Sequence, residues 1–188
     1  MSNSSSTGRP SAPAFPEITG NHWIEKLNDG SPVLIRPLRA EDRERESDFI
    51  NRLSPETRHF RFLGSMSGVS PALLDQLMNV DDTQTLAFVA LAHEDGALRE
   101  VGVSRYSAFG DDKHCECAVT VADNWRHRGL GVTLMRHLID MARRNGFRQM
   151  VSIDDSANQA MRELAHFLGF HSASDPGDAS QVVHTLDL

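Results

Sequence analysis

The chain has little of several features on which whole classes of protein depend. Only two of its 188 residues are cysteine, and only one is tyrosine. Cys115 and Cys117 stand two positions apart on the same strand face, too close for an unstrained disulfide, so we expect buried, reduced thiols and a reducing cytoplasm. No apolar run approaches the roughly 20 residues that cross a membrane. The nine histidines show no metal-ligand spacing, so we expect neither a membrane span nor a metal site.

The net charge and the composition of the N-terminus indicate which partners and which domain organisation to expect. The formal net charge of −7 argues against nucleic-acid binding. It suits a cationic acceptor such as an amine, and it equally suits ordinary solubility. Residues 1–20 are rich in Ser, Pro and Gly and lack the apolar core of a signal peptide, so we expect a disordered tail. Residues 21–188 are then expected to form one domain.

A strand, a tight basic turn and a helix follow one another in the middle of the chain. Apolar and polar residues alternate from Cys115 to Val121, which predicts a strand. Apolar residues then recur at helical spacing from Leu134 to Ala142, and Asn145-Gly146 is a helix stop. The first N–H groups of such a helix have no internal partner and favour an anion.

The turn itself has the composition of a phosphate-binding loop. Gly129 and Gly131 allow a phosphate to approach the backbone, and Arg126 and Arg128 add positive charge. The pattern is not a Walker A loop, because no Gly-Lys-Ser/Thr follows, and Leu134 occupies the third glycine position of a dinucleotide-binding loop. Two glycines alone fit a plain strand–turn–helix connection equally well.

Two motifs in order carry a resemblance to a known family. Arg126-x-x-Gly129-x-Gly131 resembles motif A of the GNAT superfamily of N-acetyltransferases, and Asn158 to Leu168-Gly-Phe resembles its motif B. The resemblance implies an α/β (α+β) GNAT fold, with a mixed, mostly antiparallel central sheet flanked by helices on both faces. It also implies acetyl-CoA as cosubstrate, with loop amides on its pyrophosphate. The cofactor-binding residues expected from it are Val119, Val121, Arg126, His127, Arg128, Gly129, Leu130, Gly131, Val132 and Asn158.

The remaining elements are consistent with this fold. Asp29-Gly30 between two apolar alternations predicts a hairpin that opens the domain. Ser54-Pro55 and Ser70-Pro71 are helix-start signals after a charged helix from about Glu41 to Leu53. The other predicted elements are an antiparallel meander of strands over 85–92, 100–109 and 115–121, a strand over 149–153, a helix capped by Ser156-x-x-Gln159, and a last strand over 181–186.

Three further segments resemble one GNAT branch that acetylates protein lysines. They are Asp29-Gly-x-Pro-Val-x-Ile-Arg-Pro-x-Arg, Leu53-Ser-Pro-Glu-Thr-Arg and Cys115-Glu-Cys-Ala-Val-Thr-Val. In that branch a glutamate at the position of Glu116 is taken as the general base, often through water. The alternative reading of Glu116 is a surface glutamate paired with a cation, and Asp112 and His114 are weaker candidate bases. Many GNAT enzymes carry a tyrosine as general acid where this chain has Ala165, so the thiolate leaves unassisted or is protonated by water.

The leading hypothesis is an acetyl-CoA-dependent N-acetyltransferase that works by direct attack in a ternary complex. Its acceptor is a protein lysine or a small amine, and protein lysine is preferred. The hypothesis from another class is an acyl-CoA-binding sensor with little turnover. By analogy with GNAT dimers, an edge strand near the C-terminus could pair two subunits into a homodimer.

Overall fold

The structure is a computed structural model that describes residues 20–111 and 113–188. The expected N-terminal tail, apart from Gly20, and the candidate base Asp112 lie outside the described residues. Over the described part of the chain, eight strands form one sheet in the order β1-β2-β3-β4-β5-β6-β8-β7. The strands are β1 (Trp23–Lys26), β2 (Pro32–Pro37), β3 (Thr85–Glu94), β4 (Ala97–Phe109), β5 (His114–Val121), β6 (Gln149–Asp155), β7 (His171–Ser174) and β8 (Gln181–Asp187). The helices are α1 (Arg43–Arg52), α2 (Pro55–Phe62), α3 (Pro71–Met78), α4 (Leu130–Arg144) and α5 (Gln159–Phe167).

The sheet is antiparallel except between β5 and β6, where α4 makes the crossover. This confirms the predicted mixed, mostly antiparallel sheet and the meander of β3, β4 and β5. The predicted opening hairpin is also confirmed, because β1 pairs antiparallel with β2 and Leu27 N–H donates to Ser31 O at 2.9 Å. β7 forms one edge, and its four residues are exposed. A homodimer through that edge stays a prediction.

Alternate residues of β4 show that helices cover both faces of the sheet, as predicted. On one face, Ser104 Oγ donates to Leu134 O of α4 at 3.3 Å. On the other face, Arg105 donates to Glu46 of α1 at 2.6 Å and to Leu77 O of α3 at 2.9 Å. Because successive side chains of a strand point to opposite faces, α4 lies on one side and α1 and α3 on the other.

The helix-start signals are confirmed at two places and wrong at a third. Ser54 Oγ accepts the Thr57 N–H, and Ser70 Oγ accepts the Leu73 N–H, each at 3.2 Å. The capping box predicted at Ser156 is wrong, because α5 begins three residues later and Asn158 Oδ1 caps it. The backbone of Ser156 is instead tied to the loop before β8, where its N–H donates to Ser180 O at 2.8 Å.

A buried group of charged side chains joins α1 to β4 beside the sheet. Glu46 and Glu100 are each only 1% exposed. Arg105 holds one oxygen of Glu46, whereas both carboxyl oxygens of Glu100 lack a hydrogen-bond partner among the described residues. Burial, followed by the nearby Glu46, raises the pKa of Glu100 well above its usual value. Glu100 is therefore held as the neutral acid in the folded protein over a wider pH range than in the unfolded chain.

Candidate active site

A cleft opens where the two parallel strands part. β5 and β6 pair only from His114 with Gln149 to Glu116 with Val151, and beyond this point β6 continues in register with β8 alone. The remaining halves of β5 and β6 therefore form the two walls of a wedge. A cavity of about 870 Å³ fills this wedge and continues beneath α2 and α5. Unpaired strand walls of this kind leave main-chain groups of β5 available to a ligand.

The start of α4 faces the same cleft. Gly129 precedes the helix with a φ of +85°, and no side chain caps the first turn. The first backbone bond of the helix runs from Thr133 N–H to Gly129 O at 3.1 Å. The N–H groups of the preceding residues and the positive end of a 15-residue helix thus meet at the cavity lining, which is a favourable environment for an anion.

The loop before α4 is fixed from two sides. Asn28 N–H, in the opening hairpin, donates to Arg128 O at 3.0 Å. On the other side, Asp123 accepts the Ser54 N–H at 2.8 Å and the Thr57 hydroxyl at 2.6 Å at the start of α2. These contacts on both sides fix the conformation of the loop.

The two arginines of the loop take different directions. Arg126 lines the cavity, and its Nη2 donates to Thr57 Oγ1 at 2.6 Å. Arg128 is not among the lining residues. It bonds Asp29 at 3.0 Å and Asn124 O at 2.7 Å, and its guanidinium lies 4.5 Å from the ring centroid of Trp125. The Arg128 side chain therefore stabilises the loop. Only the main chain of Arg128 remains a candidate for the predicted phosphate contact.

Glu116 stands at the point where β5 and β6 separate. It lines the cavity, and its side chain is exposed. Pairing with Ser107 puts it on the sheet face that carries Arg105, which is the face covered by α1 and α3. His114, the weaker candidate, lies two residues earlier outside the cavity lining and pairs with Asp111 at 2.5 Å. Among the candidates that the structure describes, Glu116 has access to the cleft.

The remaining predicted cofactor residues surround the same cavity. Val119, Val121, His127, Gly129, Leu130, Gly131, Val132 and Asn158 all line it. Asn158 also has a local task, because its Oδ1 accepts the Met161 N–H at 3.2 Å and so begins α5. The structure thus brings together every predicted cofactor residue except the side chain of Arg128.

Tyr106 and Cys117 also line the cavity, but each keeps its side-chain proton at neutral pH because burial raises its pKa. Ala165 is fully buried and does not line the cavity. The hydroxyl of Tyr106 donates to Thr83 O at 3.1 Å and accepts from Asn145 at 2.6 Å, and burial raises its pKa to about 12. Cys115 and Cys117 are buried and unpaired, as predicted, and burial raises the pKa of both thiols.

Four charged residues of the cavity lining were not predicted from the sequence: Arg61, Arg105, Asp154 and Glu163. Arg61 of α2 lines the cavity, with its guanidinium 4.9 Å from the Phe62 ring centroid, and burial lowers its pKa to about 10. Asp154 of β6 lies on the opposite wall from β5, and Ser152 Oγ donates to it at 2.5 Å. The available signal was that polar residues interrupt β6 at positions 152 and 154, where a buried strand is normally apolar.

Sequence and fold together define the class of this protein as an acetyltransferase. The chain belongs to the acetyltransferase (GNAT) family, whose sequence model matches residues 52–170. It is 62% identical to the acetyltransferase PA5475 of Pseudomonas aeruginosa over 188 residues, with full coverage of both chains. It is also 32% identical to the streptothricin acetyltransferase of Streptomyces lavendulae over 111 residues, which cover 56% of this chain and 58% of that one.

Solved structures share the fold. The GNAT domain of S. lividans PAT superposes with a TM-score of 0.81 at 22% identity, covering 89% of this chain and 97% of that chain. An acetyltransferase, yncA, from Salmonella typhimurium with its cofactor acetyl-CoA superposes with a TM-score of 0.66 at 22% identity, covering 83% and 94%. The predicted GNAT fold is therefore confirmed.

The described residues contain neither a candidate membrane span nor a candidate metal site. Within residues 20–111 and 113–188, no helix has both the length and the apolar character required to span a membrane. In the same ranges, no group of three or more His, Cys, Asp or Glu side chains is placed to hold a metal ion.

Proposed function

We propose that the protein transfers the acetyl group of acetyl-CoA to a primary amine, with Glu116 as general base. The observation that carries the proposal is that Glu116 and the uncapped start of α4 line one cavity, at the wedge between β5 and β6. One end of this cavity suits an anion, and the other offers an exposed carboxylate. Those are the two requirements of a thioester donor with a pyrophosphate and an amine acceptor that must lose a proton.

The donor half of the cleft is assigned to the loop and the strand wall. The main-chain N–H groups from His127 to Val132 are proposed to bind the pyrophosphate, with Arg126 beside them. The main chain of Val119 and Val121 is proposed to hold the pantetheine amides and the acetyl oxygen, since this part of β5 has no pairing partner on the β6 side. Asn158 is proposed to contact the donor through the part of its amide that does not cap α5. The structure of yncA with acetyl-CoA, which shares the fold, supports acetyl-CoA as the donor.

Glu116 is assigned to the acceptor half. An ammonium has no lone pair, so the amine must first give up a proton, and Glu116 accepts it directly or through water. The neutral amine then attacks the thioester carbonyl while both reactants are held in one cleft, and this alignment lowers the entropic barrier. The C–S bond breaks and coenzyme A leaves as a thiolate.

A protein lysine is the preferred acceptor. The three segments that resemble the protein-lysine branch support it, and the exposed Glu116 suits a long side chain that enters from solvent. A small amine is the second candidate, and the similarity to the streptothricin acetyltransferase over about half of each chain favours it.

The test is to incubate the full chain with acetyl-CoA, a panel of small amines and intact protein substrates. Released coenzyme A is quantified, and the acetylated products are identified by mass spectrometry. Acetylation confined to lysines of proteins supports the preferred acceptor, and acetylation of one small amine supports the second. Tight acetyl-CoA binding without acetylation of any acceptor would contradict the proposal and favour a sensor.

A further inference from the structure

Asp154 faces the place where the thioester is proposed to lie. The last paired residues of the two parallel strands are Glu116 and Val151. Counting three residues along each strand puts Val119 and Asp154 at the same level on opposite walls of the wedge. Both residues line the cavity. A pantetheine arm that contacts the main chain of Val119 therefore passes in front of the Asp154 carboxyl group.

The surroundings of Asp154 favour its protonated form. The side chain is only 14% exposed, and burial raises its pKa above the usual value. The hydroxyl of Ser152 on the same strand, His184 of β8 and Arg61 of α2 oppose this shift without reversing it. On the β5 side, Glu116 and Cys117 line the same cavity, and the Cys117 thiol is neutral because burial raises its pKa.

A line of polar groups connects Asp154 with the outer edge of the sheet. Ser172 of the edge strand β7 is exposed, and its Oγ lies 2.7 Å from His184 Nδ1. His184 is fully buried, and its Nε2 lies 3.9 Å from Asp154 Oδ2 without a hydrogen-bond partner among the described residues. Closing that gap by about 1 Å makes a hydrogen bond. Burial lowers the pKa of His184, so the neutral ring can accept a proton at one nitrogen and release one from the other.

We propose that Asp154 is the catalytic acid that protonates the departing thiolate, and that His184 and Ser172 return a proton to it from solvent. The proposal rests on the acetyl transfer proposed above. The C–S bond breaks, its electron pair stays on sulfur, and the Asp154 O–H proton moves to that sulfur. Glu116 releases to solvent the proton that it took from the ammonium, the new C–N bond forms at the amine nitrogen, and the second surplus proton of that nitrogen then passes to Glu116 and on to solvent. The Asp154 carboxylate recovers its proton from His184 Nε2–H, while Nδ1 takes one through the Ser172 hydroxyl, and a half-turn of the imidazole ring then restores the Nε2–H proton for the next turnover.

With Asp154 in this role, the protein has an acid for the thiolate although it lacks the tyrosine that many GNAT enzymes use. Ala165 takes the position at which many GNAT enzymes carry a tyrosine, and it lies outside the cavity lining. The hydroxyl of Tyr106 is committed to Thr83 O and Asn145. Asp154 combines access to the cleft with burial that raises the pKa of its carboxyl group.

The test compares Asp154→Asn with Asp155→Asn, the neighbouring carboxylate on the same strand. Asp155 is not a lining residue and bonds Ala157 N–H and His59 instead. Single-turnover rates are measured with acetyl-CoA and with two short cysteamine thioesters, one of which carries fluorines that lower the pKa of its thiol. We expect Asp154→Asn to slow acetyl transfer from acetyl-CoA by on the order of 10²-fold, because a positioned acid contributes this much. The loss should be largely recovered with the fluorinated donor, whose thiolate leaves without a proton.

The relay is tested by His184→Gln, which should slow transfer increasingly as the pH rises and leave acetyl-CoA affinity unchanged. Full single-turnover activity of Asp154→Asn would overturn the proposal. So would an equal loss with both short donors, because a residue that only shapes the wedge does not respond to the leaving group. Asp155→Asn should keep the wild-type rate with every donor. Failure of the wild-type protein to acetylate any amine would instead refute the proposed function, so the two failures are distinguishable.

Discussion

Replacing Gly129 with alanine tests the geometry of the loop that begins α4. The backbone of Gly129 has a φ of +85°, which costs an L residue about 1–2 kcal/mol. Alanine recovers about 0.4–1 kcal/mol because it restricts the unfolded chain. Its Cβ would also meet the Asn28 side chain at 3.0 Å, and that exposed side chain can rotate away. We therefore expect Gly129→Ala to lower the free energy of unfolding by about 1 kcal/mol net and Tm by about 2–4 °C.

Gly131 provides the matched control two residues further on. A Cβ there would lie 3.5 Å from Leu164 and 3.8 Å from Val121, which are ordinary contacts, and its φ is not positive. Gly131→Ala should be at least as stable as the wild type, since alanine is favoured over glycine within a helix by about 1 kcal/mol. Urea and thermal unfolding of both variants measure the difference. A Gly129→Ala variant as stable as the wild type, or equal losses in both, would refute the reasoning.

The remaining predictions concern buried ionisable groups. The raised folded-state pKa of Glu100 means that the folded protein keeps a proton that the unfolded chain loses above about pH 4.5, so this group lowers stability as the pH rises. Glu100→Gln should thus gain stability relative to the wild type between pH 5 and pH 8 in urea unfolding, whereas the exposed Glu44→Gln should not; a gain independent of pH would argue against the linkage. Cys115 and Cys117 should resist iodoacetamide at pH 7 in the native protein and react after denaturation, as followed by mass spectrometry; rapid native labelling would show that these thiols are accessible.

Local signals accounted for much of the fold and for the cavity lining at the start of α4. Ser54-Pro55 and Asp29-Gly30 act through bonds within a few residues, so the sequence pattern is enough to locate a helix start and a hairpin. The turn at Gly129 is equally local, because its conformation and the start of α4 depend on adjacent residues. The confirmed alternation of β5 likewise put Glu116 on the face away from α4.

Contacts between segments that are distant in the sequence could not be predicted from local patterns. The distance from His184 to Asp154 depends on the register of β6 with β8, which pairs residues about 30 positions apart. The side chain of Arg128 is directed by Asp29 and Trp125, and only the packing of the opening hairpin against the loop reveals this. Ser156 has the local sequence pattern of a helix cap, but its N–H donates to Ser180 O in the loop before β8, and the helix begins after Asn158 instead.

The most direct test of the central claim compares Glu116→Gln with Glu44→Gln, an exposed glutamate of α1 away from the cleft. Single-turnover acetyl transfer to the best amine acceptor and equilibrium binding of acetyl-CoA are measured for both variants and the wild type. The account predicts that Glu116→Gln slows transfer by about 10²–10⁴-fold, the contribution of a general base, with unchanged acetyl-CoA affinity. Glu44→Gln should match the wild type in both measurements. A Glu116→Gln variant that transfers acetyl at the wild-type rate would contradict the account.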